Sequence, residues 1–262
     1  MASRKPVTLI TGASAGIGAA LAEEFSDHGH ALALVARRAP ELKALADRIE
    51  ERGRMRPLVL AIDLTRRDAA DRIGEALGEA GLEPQYLVNN AGFGLLGRAA
   101  ERDRAEQLAM VDLNVRALTE LSLRFVEALE RQRGGILNVA SIASFMPGPG
   151  MAVYHATKAY VLSFSEALHR ELQPRGVRVT ALCPGPVATE FQARAGIPEG
   201  YMPRILARSA QRVARDGYAG LMRGARIVVP GSGNRLVALL PRLLPRALML
   251  AFMRSNPRKL PR

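Results

Sequence analysis

The chain has 262 residues, 48% of them hydrophobic, which is enough apolar material for a single α/β core. Its one cysteine, Cys183, excludes an intramolecular disulfide, and its four histidines (His28, His30, His155 and His169) lack the spacing and the cysteine or acidic company of a metal site. The formal charge of +12 is confined to the C-terminal part: from residue 203 onward thirteen basic residues meet one acid, Asp216, whereas the first 202 residues balance at 24 against 24.

Residues 1–6 carry charge but no apolar h-region, so no secretory signal is expected and a cytoplasmic protein fits. Strand-like runs are predicted near residues 7–11, 31–36, 57–62, 86–90, 135–140, 177–182 and 226–229. Helical periodicity fills the gaps, as in Leu42, Leu45, Ala46 and Ile49. This alternation predicts a doubly wound Rossmann fold: a seven-stranded, mostly parallel sheet with helices on both faces and ligands outside the carboxyl ends of its strands. Residues 1–235 are expected to form one catalytic domain, with a basic tail over 236–262.

The run Val7–Ile10 leads directly into Thr11-Gly12-Ala13-Ser14-Ala15-Gly16-Ile17-Gly18 and then an Ala/Leu-rich helix. Strand, glycine turn and helix in succession bring backbone N–H groups and a helix N-terminus up to a pyrophosphate. The second strand ends at Arg37-Arg38, where an acid would bind the ribose 2′-hydroxyl of NAD. Two cations at that point suit a 2′-phosphate, and so NADP(H).

Tyr154 and Lys158 stand four residues apart, on one face of a helix, with Ser141 upstream. In a chain whose basic residues are almost all Arg, Lys158 is one of only four Lys. An ammonium beside a phenol favours the phenolate and lowers its pKa, while Ser141 offers a hydroxyl to a substrate oxygen. Cys183, closing an apolar strand, reads as a buried inert thiol. His155 follows Tyr154 directly and faces another way, as a structural residue or part of the pocket edge.

Together these motifs resemble the short-chain dehydrogenase/reductase family, from about Val7 to Gly231, in particular its NADP-preferring ketoacyl and hydroxysteroid reductases. The resemblance implies a glycine turn at Gly12, Gly16 and Gly18, with Ser14 and Ile17 also at the cofactor. It places an adenine-contacting Asp63 beside Leu64, and an intact Asn-Asn-Ala-Gly motif at Asn89, Asn90, Ala91 and Gly92. It further implies a catalytic Asn114 holding a water in a proton relay. Catalytic Ser141, Tyr154 and Lys158 follow, and then a Pro184-Gly185 loop with Val187 and Thr189 at the nicotinamide amide and phosphates. Tyr154 and Lys158 also belong to the cofactor site, Lys158 holding the nicotinamide ribose. A substrate lid is expected over about 190–210, and Phe93, Leu95, Phe145 and Met146 are expected to line an apolar pocket.

The tail from Leu236 to Met253 is apolar but interrupted by Arg242 and Arg246, so a membrane span is not expected. On a helical projection these two and Arg235 lie apart from Leu236, Leu240, Leu243 and Ala247, with Pro241 and Pro245 expected to break the helix into short pieces. Two readings stand: a lid or dimer contact packed on the protein itself, or peripheral docking on an anionic membrane. Nucleic acid is not expected as a partner, because no binding module or aromatic platform is present. A homo-oligomer, dimer or tetramer, is expected.

The expected function is NADP(H)-dependent interconversion of an apolar ketone and a secondary alcohol, a small-molecule substrate. An epimerase or dehydratase on the same frame is one rival, separated by product analysis. A dinucleotide-sensing or membrane-attached binding protein is the other; it would have no use for the proton chemistry of Ser141, Tyr154 and Lys158.

Overall fold

A computed structural model describes residues 4–198 and 204–252. In chain order the elements are β1 (Lys5–Thr11), α1 (Gly16–Asp27), β2 (Leu32–Ala36), α2 (Ala39–Glu51), β3 (Leu58–Ala61), α3 (Ala69–Glu79) and β4 (Leu82–Asn89). Then come α4 (Arg104–Val111), α5 (Leu118–Arg124), α6 (Val126–Arg131), β5 (Gly135–Val139), α7 (Ala152–Leu172) and β6 (Arg178–Leu182). The chain continues through α8 (Glu190–Ala195), α9 (Ala210–Met222), β7 (Ile227–Val228), α10 (Ser232–Leu243) and α11 (Arg246–Phe252).

The seven strands form one sheet in the order β3-β2-β1-β4-β5-β6-β7, and every pairing is parallel. The order reverses between β1 and β4, so the crevice above those two strands is the place where such a sheet takes its ligand. Apolar strands covered on both faces require helices on both sides. One layer packs Leu9, Val35, Leu87 and Ile136 against α3, α5 and α7; the other packs Ile10, Leu34, Val88 and Leu137 against α1, α2 and α9.

Three details differ from the sequence reading. Strand β4 begins at Leu82 rather than near residue 86, because Leu82–Pro84 pair with Lys5–Val7 alone, and β5 joins only from Tyr86. Pro84 therefore sits where a missing N–H breaks no second ladder. Between α4 and α5 the helix widens into a π-type turn over Asp112–Ala117, which holds Asn114. Pro241 lies inside α10 and does not end it. In the last turn a proline forfeits only one helical hydrogen bond, and the break falls at residues 244–245. Among the described residues no helix is long and apolar enough to cross a membrane.

Candidate active site

A cleft of about 1080 Å³ opens at the carboxyl ends of the strands. Of the residues named from the sequence as cofactor or proton-handling candidates, all but Gly18, Asn89 and Asn114 line it; Asn89 is buried, its amide donating to Ser122 and Asn138, both at 2.9 Å. Gly18 and Asn114 stand just behind its wall, and each has a packing reason to be there.

At one end lies the glycine turn. Gly12 has φ +65°, and a Cβ on it would fall 2.7 Å from the Asn90 amide nitrogen. A Cβ on Gly18 would lie 2.2 Å from the Gly12 carbonyl oxygen, so Gly18 keeps the turn tight rather than touching a ligand. The Asn90 amide donates to the carbonyls of Thr11 (2.9 Å) and Gly12 (3.1 Å) and is thereby committed to the turn. Thr11, unremarked in the sequence, clamps the same corner: its hydroxyl donates to Val88 O and accepts from the N–H groups of Asn90 and Ala91. Helix α1 has Ala15 as its N-cap and no side-chain cap, so its first N–H groups are left for an anion. This cradle fits the pyrophosphate of a dinucleotide.

The adenosine end is strongly charged. Arg38 donates to the Ser14 hydroxyl from Nε (3.3 Å) and Nη2 (3.2 Å), and forms ion pairs with Glu41 (3.5 Å) and Glu190 (2.9 Å). Asp63 lines the cleft and accepts from the N–H (3.0 Å) and hydroxyl (2.8 Å) of Thr65 on one and the same oxygen. Burial pushes its carboxyl up, but the two Thr65 bonds and the nearby Arg37 and Arg66 bring it net below the usual value. Arg37 and Arg38 both line this end of the cleft, and two guanidinium groups are the donor set that a ribose phosphate would need.

At the other end Ser141, Tyr154 and Lys158 converge. Ser141 caps a short 3₁₀ turn, its hydroxyl accepting from Ala143 N–H at 3.1 Å. Tyr154 and Lys158 project from α7 into the cleft. Burial pushes the Tyr154 phenol up to about 12, with the Ser141 hydroxyl opposing the rise. Burial also lowers Lys158 to about 8, the Cys183 thiol acting the other way. The expected depression of the tyrosine by the lysine is absent here. The ammonium lies 6.0 Å from the phenol ring centroid and donates to the Val139 carbonyl at 2.8 Å, so its charge is directed at the β5 backbone. Cys183 is fully buried, and burial pushes its thiol up to about 12, the inert behaviour anticipated.

Asn114 is buried behind this cluster. Its amide donates to Phe93 O (2.9 Å) and the Thr157 hydroxyl (3.1 Å), and its carbonyl oxygen accepts from Phe93 N–H (3.1 Å). Three of its four hydrogen-bonding positions are thus taken, and one lone pair remains for a water. Thr157 donates in turn to the Tyr154 carbonyl at 2.8 Å and links Asn114 to the tyrosine's helix. The sequence clue to Thr157 was its place three residues after Tyr154, where a hydroxyl bonds back to a helix carbonyl.

Apolar residues close this end. Phe93, Leu95, Met146, Met151, Phe191 and Ile197 line it, and α10 contributes Val237. The Phe191 ring lies 5.4 Å from that of Tyr154. Phe145 does not line the cleft as expected; it packs away from the cleft, against the core residues Leu118, Val161 and Cys183. His155 borders the cleft, its Nδ1 donating to Met146 O at 2.8 Å across the loop before α7. Among the described residues no group of His, Cys, Asp and Glu could hold a metal.

The family model described as "short chain dehydrogenase" matches residues 6–199. The chain belongs to the short-chain dehydrogenase family. It is an oxidoreductase of that family, and similar proteins with named activities are dehydrogenases and reductases. One is sulfoacetaldehyde reductase 2 of Chromohalobacter salexigens, 38% identical over 188 residues that span 71% of this chain and 74% of the relative. Among solved structures, a short-chain dehydrogenase from Sphingobium yanoikuyae in complex with NADPH has TM-score 0.80 and 34% identity, covering 96% of this chain and 97% of that one. The bulky-bulky ketone specific alcohol dehydrogenase of Comamonas testosteroni has TM-score 0.76 and 29% identity, covering 98% of this chain and all (100%) of that one.

Proposed function

We propose that this short-chain dehydrogenase uses NADP(H) to interconvert an apolar ketone and a secondary alcohol. The observation that carries the reading is the shared cleft. Ser141, Tyr154 and Lys158 meet at an apolar end, and the glycine cradle and the Arg37-Arg38 pair meet at the other. The NADPH bound by the Sphingobium relative and the ketone specificity of the Comamonas enzyme point the same way.

When bound, the cofactor supplies the hydride. The protein places the groups around it. Gly12, Ser14, Gly16 and Ile17 hold the pyrophosphate side, and Gly18 keeps the turn tight. Arg37 and Arg38 hold the 2′-phosphate, Asp63 and Leu64 the adenine. Asn90, Ala91, Gly92, Pro184, Gly185, Val187 and Thr189 flank the nicotinamide half. Ser141 donates a hydrogen bond to the substrate oxygen, and Tyr154 protonates that oxygen in the reductive direction. With its phenol raised to about 12, Tyr154 is fully protonated at neutral pH and ready as an acid. Lys158 holds the nicotinamide ribose and supplies positive charge near the phenol; Asn114 braces Phe93 and α7 and keeps one lone pair for a relay water.

In this reading residues 1–235 are the catalytic unit, with the lid over about 190–210, part of which lies outside the described residues. The enzyme is a cytoplasmic homo-oligomer, dimer or tetramer. Exposed Leu108, Val111, Leu123 and Tyr160 on α4, α5 and α7 supply apolar surface for self-association. The tail over 236–262 serves two surfaces: Val237 faces the cleft, whereas Leu236, Leu239, Leu240 and Leu243 are exposed. That outer face, beside the chain's excess of positive charge, is suited to an anionic lipid surface. The side chains of Arg242 and Arg246, and residues 253–262, lie outside the described residues.

The test is a screen of ketones and alcohols of graded chain length, read by nicotinamide absorbance with NADP(H) and NAD(H). Sulfoacetaldehyde serves as a charged contrast. Turnover is expected to rise with apolar size and to favour NADP(H). Turnover of the charged aldehyde alone would overturn the apolar reading.

A further inference from the structure

Helix α8 carries Glu190 and Arg194 four residues apart, acid first, the arrangement in which two helical side chains pair best. They do not pair. Glu190 reaches across the cleft to Arg38, 2.9 Å from Nη2. Arg194 lies over the ring of Phe93, 4.6 Å from its centroid, and among the described residues it has no carboxylate partner. Burial and the like charges of Arg37 and Arg38 all press on its guanidinium, lowering its affinity for its proton. A cation is thus held in a positive field with an acid within reach on its own helix, because Arg38 already holds that acid.

Arg38 is also a group that would receive the cofactor's 2′-phosphate. A phosphate that takes its guanidinium leaves Glu190 facing two negative charges, and Arg194 is the nearest alternative by helical spacing. Arg38 and Glu190 are 42% and 68% exposed, so their pair is weak and a ligand tips the balance easily. We propose that Glu190 stands in for the 2′-phosphate on Arg38, and that binding of NADP(H), but not of NAD(H), hands Glu190 over to Arg194. Helix α8 then registers which cofactor is present. It passes that information to the reacting end, because Arg194 must leave the Phe93 ring, whose backbone is bonded to Asn114, and because Phe191 of the same helix lies on Tyr154. The inference rests on the reading of Arg37 and Arg38 as the 2′-phosphate site.

The test is equilibrium binding by calorimetry, without turnover, of NADP⁺ and 2′,5′-ADP against NAD⁺ and 5′-ADP. In an Arg194→Gln background, where no second pair offsets the lost one, Glu190→Gln is expected to tighten the two 2′-phosphorylated ligands by about two- to fivefold, the range of exposed ion pairs, and to leave the other two unchanged. Arg194→Gln is expected to weaken NADP⁺ in the parent protein by a similar factor and to have no effect in the Glu190→Gln background. Unchanged NADP⁺ affinity on adding Glu190→Gln to Arg194→Gln would overturn the stand-in role. Equal weakening by Arg194→Gln in both backgrounds would overturn the handover and make Arg194 a direct phosphate contact. If the parent fails to distinguish 2′,5′-ADP from 5′-ADP and Arg38→Ala changes neither, the phosphate site itself is misplaced, an outcome separate from the first two.

Discussion

Replacing Lys158 with methionine should abolish turnover while changing stability in a pH-dependent way. Lys158 is only 5% exposed, and burial lowers its pKa from the usual 10.5 to about 8. At about 1.4 kcal/mol per pKa unit, that depression means a charged Lys158 costs the folded state about 3 kcal/mol. The sign follows from linkage: below about pH 8 the lysine is protonated both folded and unfolded, and the cost is present in full. As pH rises toward 10.5 the folded protein has lost the proton and the unfolded chain still binds it, so stability increases; above that the cost is gone. Lys158→Met has no such dependence. It also leaves the Val139 carbonyl without its donor, a loss of about 1–3 kcal/mol that does not vary with pH. The difference between wild type and variant isolates the lysine. Urea denaturation of both proteins at intervals from pH 7.5 to 10.5 should show wild type gaining about 3 kcal/mol on the variant across the window. A difference flat to within about 1 kcal/mol would refute the buried, desolvated ammonium.

Tyr154→Phe keeps the ring and removes the proton; turnover should fall by about 10²–10⁴-fold or more with NADPH binding retained, and near-normal turnover in steady-state assays would remove Tyr154 from the chemistry. Arg37→Asp should weaken NADPH far more than NADH because it opposes a phosphate with a like charge, with Arg38→Ala smaller in the same direction. Titration with both cofactors decides this, and an unchanged preference would count against both arginines. In the tail, Leu236 is 62% and Leu243 79% exposed, so Leu236→Gln with Leu243→Gln should leave thermal stability intact. If the outer face of α10 meets lipid, the pair should reduce salt-sensitive co-sedimentation with anionic vesicles. Parent protein that fails to sediment with them at low salt would exclude the lipid contact.

The strands and the glycine turn were legible because each is a local pattern: an apolar run bounded by a turn, a glycine wherever backbone must approach backbone. The pairing of Tyr154 with Lys158 was legible from spacing on a helix, and Ser141 from the family resemblance. Where their atoms point was not. Lys158 chooses a carbonyl on β5, nineteen residues away in sequence, over the phenol one helical turn away. Asn114 spends its amide on Phe93 and Thr157, contacts that exist only once the wide turn at 112–117 is packed against α7. Phe145 and Met146 are neighbours of equal apolar character, yet only Met146 faces the cleft, because the 3₁₀ turn capped by Ser141 turns Phe145 into the core. Pro84 disguised the start of β4, since its tolerance depends on which strand lies beside it.

The wide turn over Asp112–Ala117 has a consequence for how this gene can change. Such a turn holds one residue more than an α-helical path requires. Losing any single codon there would let the ordinary hydrogen-bond ladder close and give a more regular helix. The flanking helices α4 and α5 would keep their phase, because the wide turn had already absorbed the extra residue. Leu118 and Leu121, now 4% and 2% exposed, would stay in the core, but the widened backbone that carries Asn114 to Phe93 and Thr157 would be gone. The locally better helix would therefore be bare of the contacts that brace the site, and the surplus residue is tied to the bonds Asn114 makes with Phe93 and Thr157.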